Sequence, residues 1–291
     1  MSSVSVAPER FPAFPGSGRR GRRLPFSAWH LLLAPVAAVM LVPLVWMVVI
    51  SLETKTQAQS FPPVLVPSSL HFNNYSDTWN TVPFGDFFLN SALYSLATVA
   101  GNLLFCSLAA YAFARIRFFG SNVLFVVLLA TLMVPFQVLL IPTFLIVKKL
   151  GMVDSVGGLI MPNLCSAFGI FMLRQFFRTL PIELEEAARI DGTSRLGILF
   201  KIVLPLSKPA LATLAIIQFM WSWNDFLWPL IIIDTAGHAP LQLGLSTLQG
   251  AHSTEWNLLM AGTVMSQIPM LAVFLFAQRW FIRSIAFTGI K

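Results

Sequence analysis

The chain has 291 residues, 56% of them hydrophobic and only 11% charged, with a mean hydropathy of +0.76 and a net charge of +7. Soluble domains carry about 25% charged residues to face water, so an ordinary soluble protein is excluded and lipid is the available sink for the apolar surface. The two cysteines, Cys106 and Cys165, lie apart in apolar runs, which excludes a disulfide framework and a metal-type cysteine spacing.

Residues 1–27, rich in Pro, Gly, Ser and Arg, cannot bury an apolar face and are expected to form a disordered cytoplasmic tail. Arg22 and Arg23 precede an apolar run longer than the core of a cleavable signal, so an uncleaved first span is expected. A membrane-crossing helix needs about 20 apolar residues. Six stretches reach that length or come close: 28–50, 87–114, 118–147, 155–173, 209–233 and 256–278. The fold class is thus all-α, a polytopic membrane protein whose six-span domain covers 28–291, because helices pair their own backbone groups in hydrocarbon. Pro135, Pro142, Pro162, Pro229 and Pro269 fall inside these stretches, where neighbouring helices re-satisfy the carbonyls that proline frees.

The basic residues set a direction. All of the 19 Lys and Arg except Lys55, Lys148 and Lys149 fall in the tail, the second and fourth loops and the C-terminal end, and retention of positive charge in the cytoplasm places both termini there. Glu53, Asp77, Asp86, Asp154, Asp234 and Glu255 gather on the other side. The positive balance therefore reads as topology in a plasma membrane, with lipid as a partner, and nucleic acid is not expected.

The fourth loop, 174–208, is too long for a plain turn. Pro181 suits the first turn of a helix, Glu183, Glu185 and Glu186 suit its positive end, and Gly192 suits a left-handed stop. Thr193 or Ser194 can cap a second short helix, 195–203, ended by Pro205. Such an elbow fits two roles: a docking element whose adjacent alanines, Ala187 and Ala188, enter another protein's groove, or an amphipathic connector lying on headgroups.

The spacing Glu186-Ala187-Ala188, then Gly192, then Ile202-x-Leu204-Pro205 resembles the EAA loop signature of permease subunits in binding-protein-dependent ATP-binding-cassette importers. Phe72-x-x-Tyr75, the run Trp223-Asn224-Asp225-Phe226, the Pro269-containing last span and the ending Thr288-Gly289-Ile290-Lys291 are similar to carbohydrate-importing members, specifically the six-span second permease of maltose-type systems. The resemblance implies a type I importer fold in which Glu186, Ala187, Ala188, Asp191, Gly192, Ile202, Leu204 and Pro205 form a coupling elbow for an ATPase. It also implies the partners: a second permease completing a heterodimer, two cytoplasmic ATPase subunits and an extracytoplasmic solute-binding protein. No phosphate-binding Gly-x-x-x-x-Gly-Lys loop exists in the chain, so no cofactor is expected here, and ATP and Mg would be bound by the ATPase partner.

Asp225 is the one acid well inside an expected span, and an intramembrane carboxylate is a functional hypothesis by default. With Trp221, Trp223, Asn224 and Trp228 it offers indole faces and hydroxyl-binding groups to a sugar; the alternative is that these tryptophans anchor at the interface and the polar groups bond other helices. An ion-coupled secondary transporter would need carboxylates in several spans, and an intramembrane enzyme would need a facing nucleophile and base; neither set is present. The same fold could also import a polyamine, phosphonate or oxyanion. His30, His71, His238 and His252 share no ligand spacing, so no metal is expected, and catalytic residues are not expected either.

Overall fold

The structure is a computed structural model that describes the backbone of residues 28–250 and 254–288, with side chains from 31 to 250 and 254 to 276. The expected tail at 1–27 and most of the basic C-terminal ending lie outside the described residues. The chain divides into two compact units, 1–45 and 46–291. Helix α1 (Ala28–Ser51) begins in the first and, from Leu31 to Val45, is strongly apolar and exposed along its length. A helix apolar all round suits lipid.

In the second unit a short α2 (Lys55–Ala58) and α3 (Asn73–Thr81) lead to the 32-residue α4 (Phe84–Arg115). There follow α5 (Ser121–Thr131), α6 (Phe136–Lys149), α7 (Val156–Ile160) with a 3-10 turn at Met161–Asn163, and α8 (Ala167–Thr179). The elbow comprises α9 (Glu183–Ile190), α10 (Arg195–Ile198), a π-helical turn at Leu199–Val203 and α11 (Leu204–Leu206). The chain closes with α12 (Lys208–Trp223), α13 (Leu227–Ile232), α14 (Leu241–Ser246) and α15 (Trp256–Thr288). No strand occurs among the described residues.

Three helices are long and apolar enough to cross a bilayer unbroken: Leu31–Ser51, Phe84–Arg115 and Trp256–Phe276. The other three expected spans are not straight helices. The stretch 118–147 is two helices bent by 104° where the still apolar residues Leu132 to Pro135 interrupt the helix, and Pro135, without an N–H, caps the start of the second. The stretch 155–173 bends by 43° between Asn163 and Ala167, and its helix runs on to Thr179. Arg174 and Arg178 therefore belong to α8 and not to a free loop; the Arg174 guanidinium lies 3.8 Å above the Phe125 ring and its Nε donates to the Phe113 carbonyl at 3.1 Å. The stretch 209–233 unwinds at Asn224 to Phe226, so α12 and α13 are separate helices.

Helix α4 holds the unit together, packing on α8, α12, α14 and α7. Gly101 permits close approach of α4 to the turn that joins α7 to α8: a Cβ there would stand 2.5 Å from the Leu164 side chain and 3.1 Å from its carbonyl oxygen. Two buried clusters flank it. One gathers Phe84, Phe87, Tyr94, Trp223, Trp228 and Leu241; the other gathers Cys106, Tyr111, Leu173, Phe177, Ala188, Ile198, Leu199 and Leu214. The second cluster contains residues of the elbow itself, so that segment is packed against the helices and not laid loosely beside them.

Candidate functional site

The elbow is built by local chemistry. Three acids occupy the first turn of α9, where the unpaired N–H groups favour negative charge. Pro181 lies just outside the helix, one residue before the N-terminal cap Ile182, and not in the first turn as the sequence reading had it. At the other end Gly192 takes φ +79°, Gly192 N–H donates to the Arg189 carbonyl at 3.0 Å and Thr193 N–H to the Ala188 carbonyl at 2.9 Å. That pair of bonds closes the helix in a Schellman turn, which needs a residue at ease in the left-handed region. Of the two candidate caps, Ser194 acts: its Oγ accepts from Gly197 N at 3.2 Å. Pro205 does not end the second helix. It sits in the first turn of α11, where its missing N–H is harmless, and the chain turns only at Ser207, with an 82° bend into α12.

The expected pair of alanines divides. Ala188 is buried in the inner cluster, whereas Ala187, about 100° away around the helix, is exposed with Glu186, Ile190 and Asp191. Ile190 is 88% exposed, and Leu184 and Leu196 are exposed too, so the outward face is apolar with acidic edges. Ile202 and Leu204 pack against the inner cluster. Thus the outward face carries Glu186, Ala187, Asp191 and Gly192, while Ala188, Ile202 and Leu204 secure the elbow from within.

Glu185, placed by the sequence only at the positive end of the helix, has a second role. It is 1% exposed, its Oε1 stands 2.7 Å from Arg115 Nε, and its Oε2 accepts from the Tyr111 hydroxyl at 3.2 Å. Arg115 also donates to the carbonyls of Phe177 and Leu180 at 2.7 and 2.6 Å, closing the end of α8. The available signal was the spacing of Glu185 and Ala188, which places both on one helical face.

The second region is a cavity of about 590 Å³ lined by groups that include Tyr94, Asn163, Ser166, Phe168, Gln218, Trp221 and Asp225. Asp225 sits at the break between α12 and α13. Its Oδ2 accepts from Tyr94 Oη at 2.8 Å and its Oδ1 from Trp228 N at 3.3 Å, so the carboxylate satisfies the start of α13 while reaching the cavity. Asn163 Nδ2 donates to Tyr94 Oη at 3.0 Å, joining α4, the end of α7 and the break in one chain of hydrogen bonds. A neighbouring chain runs from Ser166 Oγ to Asn102 Oδ1 and from Asn102 Nδ2 to the Asn163 carbonyl, both at 2.7 Å.

The aromatic surface differs from the one expected. Trp223 is 2% exposed, stacks on Phe219 and donates Nε1–H to the Ser266 carbonyl at 3.0 Å. Trp228 is 1% exposed and donates to the Gly158 carbonyl. Both are core residues. Asn224 is exposed but does not line the cavity; its amide donates to the Met220 carbonyl at 2.8 Å. The indole that does line it is Trp221, half of an aromatic pair with Phe168 at 5.6 Å between centroids. Of the three candidate path residues, Asp225 alone borders the cavity. No group of His, Cys, Asp and Glu suited to a metal ion occurs among the described residues.

Comparison with known proteins gives a consistent set of likenesses. Residues 102–287 match the family described as the binding-protein-dependent transport system inner membrane component. The chain is 39% identical over 263 residues to the sn-glycerol-3-phosphate transport system permease protein UgpE of Pectobacterium atrosepticum, covering 88% of this chain and 93% of that one. It is 36% identical over 272 residues to the arabinooligosaccharides transport system permease protein AraQ of Halalkalibacterium halodurans, covering 92% and 98%. A crystal structure of a bacterial ABC transporter involved in the import of the acidic polysaccharide alginate contains a chain that superposes with a TM-score of 0.74 at 27% identity, covering 88% of this chain and 99% of that chain.

Proposed function

The chain belongs to the family of binding-protein-dependent transport system inner membrane components, and from that premise we propose that it is one permease subunit of an ABC importer for a carbohydrate. The observation that carries this reading is the elbow: a Schellman-closed α9 whose outward face presents Glu186, Ala187, Ile190 and Asp191 from a body packed into the bundle. A short rigid knob of this kind suits the groove of a separate ATPase subunit. Two ATPase subunits, a second permease completing the path, and an extracytoplasmic binding protein are the partners; both termini lie in the cytoplasm, and ATP with Mg is handled by the ATPases. This subunit performs no chemistry of its own.

In this scheme nucleotide-driven closure of the ATPases draws the coupling elbows together and turns the half-paths outward. The binding protein then delivers its cargo, and product loss returns the path inward. The cavity at Asp225 is this subunit's contribution to the path. Its lining supplies hydroxyl-binding groups from Tyr94, Asn163, Gln218 and Asp225 and an aromatic face from Trp221, and it includes no Lys, Arg or His. A neutral saccharide therefore fits this half of the path better than a phosphorylated polyol, which would seek a cation.

The test is co-purification of this subunit with an ABC-importer ATPase subunit co-expressed with it. Glu186→Lys should leave the subunit in the membrane and abolish ATPase capture or coupled hydrolysis. Unchanged transport by that variant would overturn the coupling reading.

A further inference from the structure

Covalent continuity makes spans four and five the obvious recipients of a push on the elbow, because α8 leads into it and α12 leads out. The buried contacts point to a third element. Glu185 leaves α9 inward and meets Arg115, the last residue of α4, at 2.7 Å, with Tyr111 one turn earlier on α4 completing the grip. The side chains of Arg115 and Glu185 are 9% and 2% exposed. Arg115 simultaneously holds the Phe177 and Leu180 carbonyls at the end of α8. One guanidinium therefore joins α4, α8 and α9.

A charge pair this deeply buried gains little stability over an apolar packing of the same volume, because desolvation opposes its attraction; what such a pair can supply is a single, directional arrangement. The arrangement here has a far end. Helix α4 runs without interruption from the grip at Tyr111 to Tyr94 at the cavity, about 26 Å away at 1.5 Å per residue. Tyr94 there donates to Asp225.

We propose that Glu185 is a positioning residue which, through Arg115, fastens the elbow to α4, so that α4 carries displacement of the elbow to the Tyr94–Asp225 contact as a lever. The assignment rests on the coupling role of the elbow for its purpose, but the fastening itself is a property of this chain. Glu185 touches neither cargo nor ATPase in this scheme; it acts through Arg115.

The test uses the full importer complex in lipid nanodiscs. Spin labels are placed on cysteines introduced at the exposed positions Glu183 and Leu96, in a background carrying Cys106→Ser and Cys165→Ser. The label-to-label distance is read by electron paramagnetic resonance in the resting state and after trapping with Mg-ATP and vanadate. With the native pair, one narrow distribution should persist in both states. Glu185→Gln keeps size and a hydrogen bond to Tyr111 but removes the charge; it should broaden the distribution about twofold and lower stimulated hydrolysis about fivefold, within the range of coupling changes reported by single residues. ATPase co-purification should remain, and Glu185→Asp should restore the narrow distribution.

Arg115→Gln, which removes the cation facing Glu185 together with the grip on α8, should behave as Glu185→Gln does, and it decides the question if Glu185→Gln fails to reach the membrane. Native-width distributions in both variants overturn the proposal. So does broadening that Glu185→Asp leaves unrepaired, because general loosening would then be the cause. If the unsubstituted subunit fails to capture an ATPase, the coupling role of the elbow falls, while the resting-state widths still decide whether Glu185 fastens α9 to α4.

Discussion

Tyr94 donates its phenolic hydrogen to Asp225 Oδ2 at 2.8 Å, across 131 residues of sequence, at the point where a membrane-crossing segment has unwound. The bond couples an uninterrupted helix to a broken one at the edge of the cavity. Tyr94→Phe removes the donor while keeping the ring that fills the core. A buried hydrogen bond contributes about 0.5–1.5 kcal/mol net, so the variant should lower solute-stimulated hydrolysis by about threefold to tenfold with assembly intact. Asp225→Ala should do the same to uptake; loss of the assembled complex would instead make this contact one of packing alone.

Trp221 and Trp223, two positions apart, should give opposite phenotypes. Trp223→Ala empties a stacked core site and should destabilise the subunit by about 3–5 kcal/mol, seen as lower yield and earlier thermal aggregation. Trp221→Ala removes an exposed indole from the cavity wall and should change uptake while leaving the aggregation temperature nearly unchanged. Equal destabilisation by both would remove Trp221 from the path.

Gly192 holds the corner of the elbow at φ +79°. Gly192→Ala forces a Cβ into the left-handed region at about 1–2 kcal/mol, and the Schellman bonds should loosen without loss of the subunit. Gly192→Pro also deletes the N–H that reaches the Arg189 carbonyl and should abolish ATPase capture. Hydrolysis equal to the native complex in the proline variant would show that the corner's shape is irrelevant to docking.

Asp154 lies in the loop between α6 and α7 at φ 53° and accepts hydrogen bonds from Thr235 Oγ1 and from the backbone N–H groups of Asp234 and Thr235. These bonds, the Thr235 hydroxyl first, hold its carboxyl down from 3.8 to about 2. A depressed acid stabilises the folded clasp above its ordinary value, and the contribution disappears as pH falls from there through about 2. Amide exchange at Asp234 and Thr235 should therefore stay slow, once corrected for intrinsic rates, between pH 7 and 4, and quicken below about 3. Asp154→Asn should quicken it at neutral pH. Exchange that stays slow down through pH 2 would show that the Asp154 carboxylate does not hold the clasp.

Features that depend on near neighbours were legible in the sequence. Gly192 as a stop, Ser194 as a possible cap and the acids at the start of α9 each act within a turn or two of themselves, so residue type and spacing carry the information. Apolar length likewise located the crossings, because the bilayer imposes it. What escaped were choices made by distant residues. Periodicity could not say that Trp223 turns to Phe219 and Ser266 whereas Trp221 turns to the cavity. Nor could it say that Glu185, rather than Glu186, is buried, because its partner Tyr111 lies 74 positions away. The breaks at Leu132 to Pro135 and Asn224 to Phe226 were hidden for a related reason: hydropathy averaged over a window does not register where a helix bends.

The unwinding at Asn224 to Phe226 also limits what can face this part of the second unit. Backbone groups released from a helix are not tolerated against hydrocarbon tails, yet Asn224 and Phe226 are both exposed on the subunit's surface. A flank with such a break is better suited to water or to protein than to hydrocarbon tails.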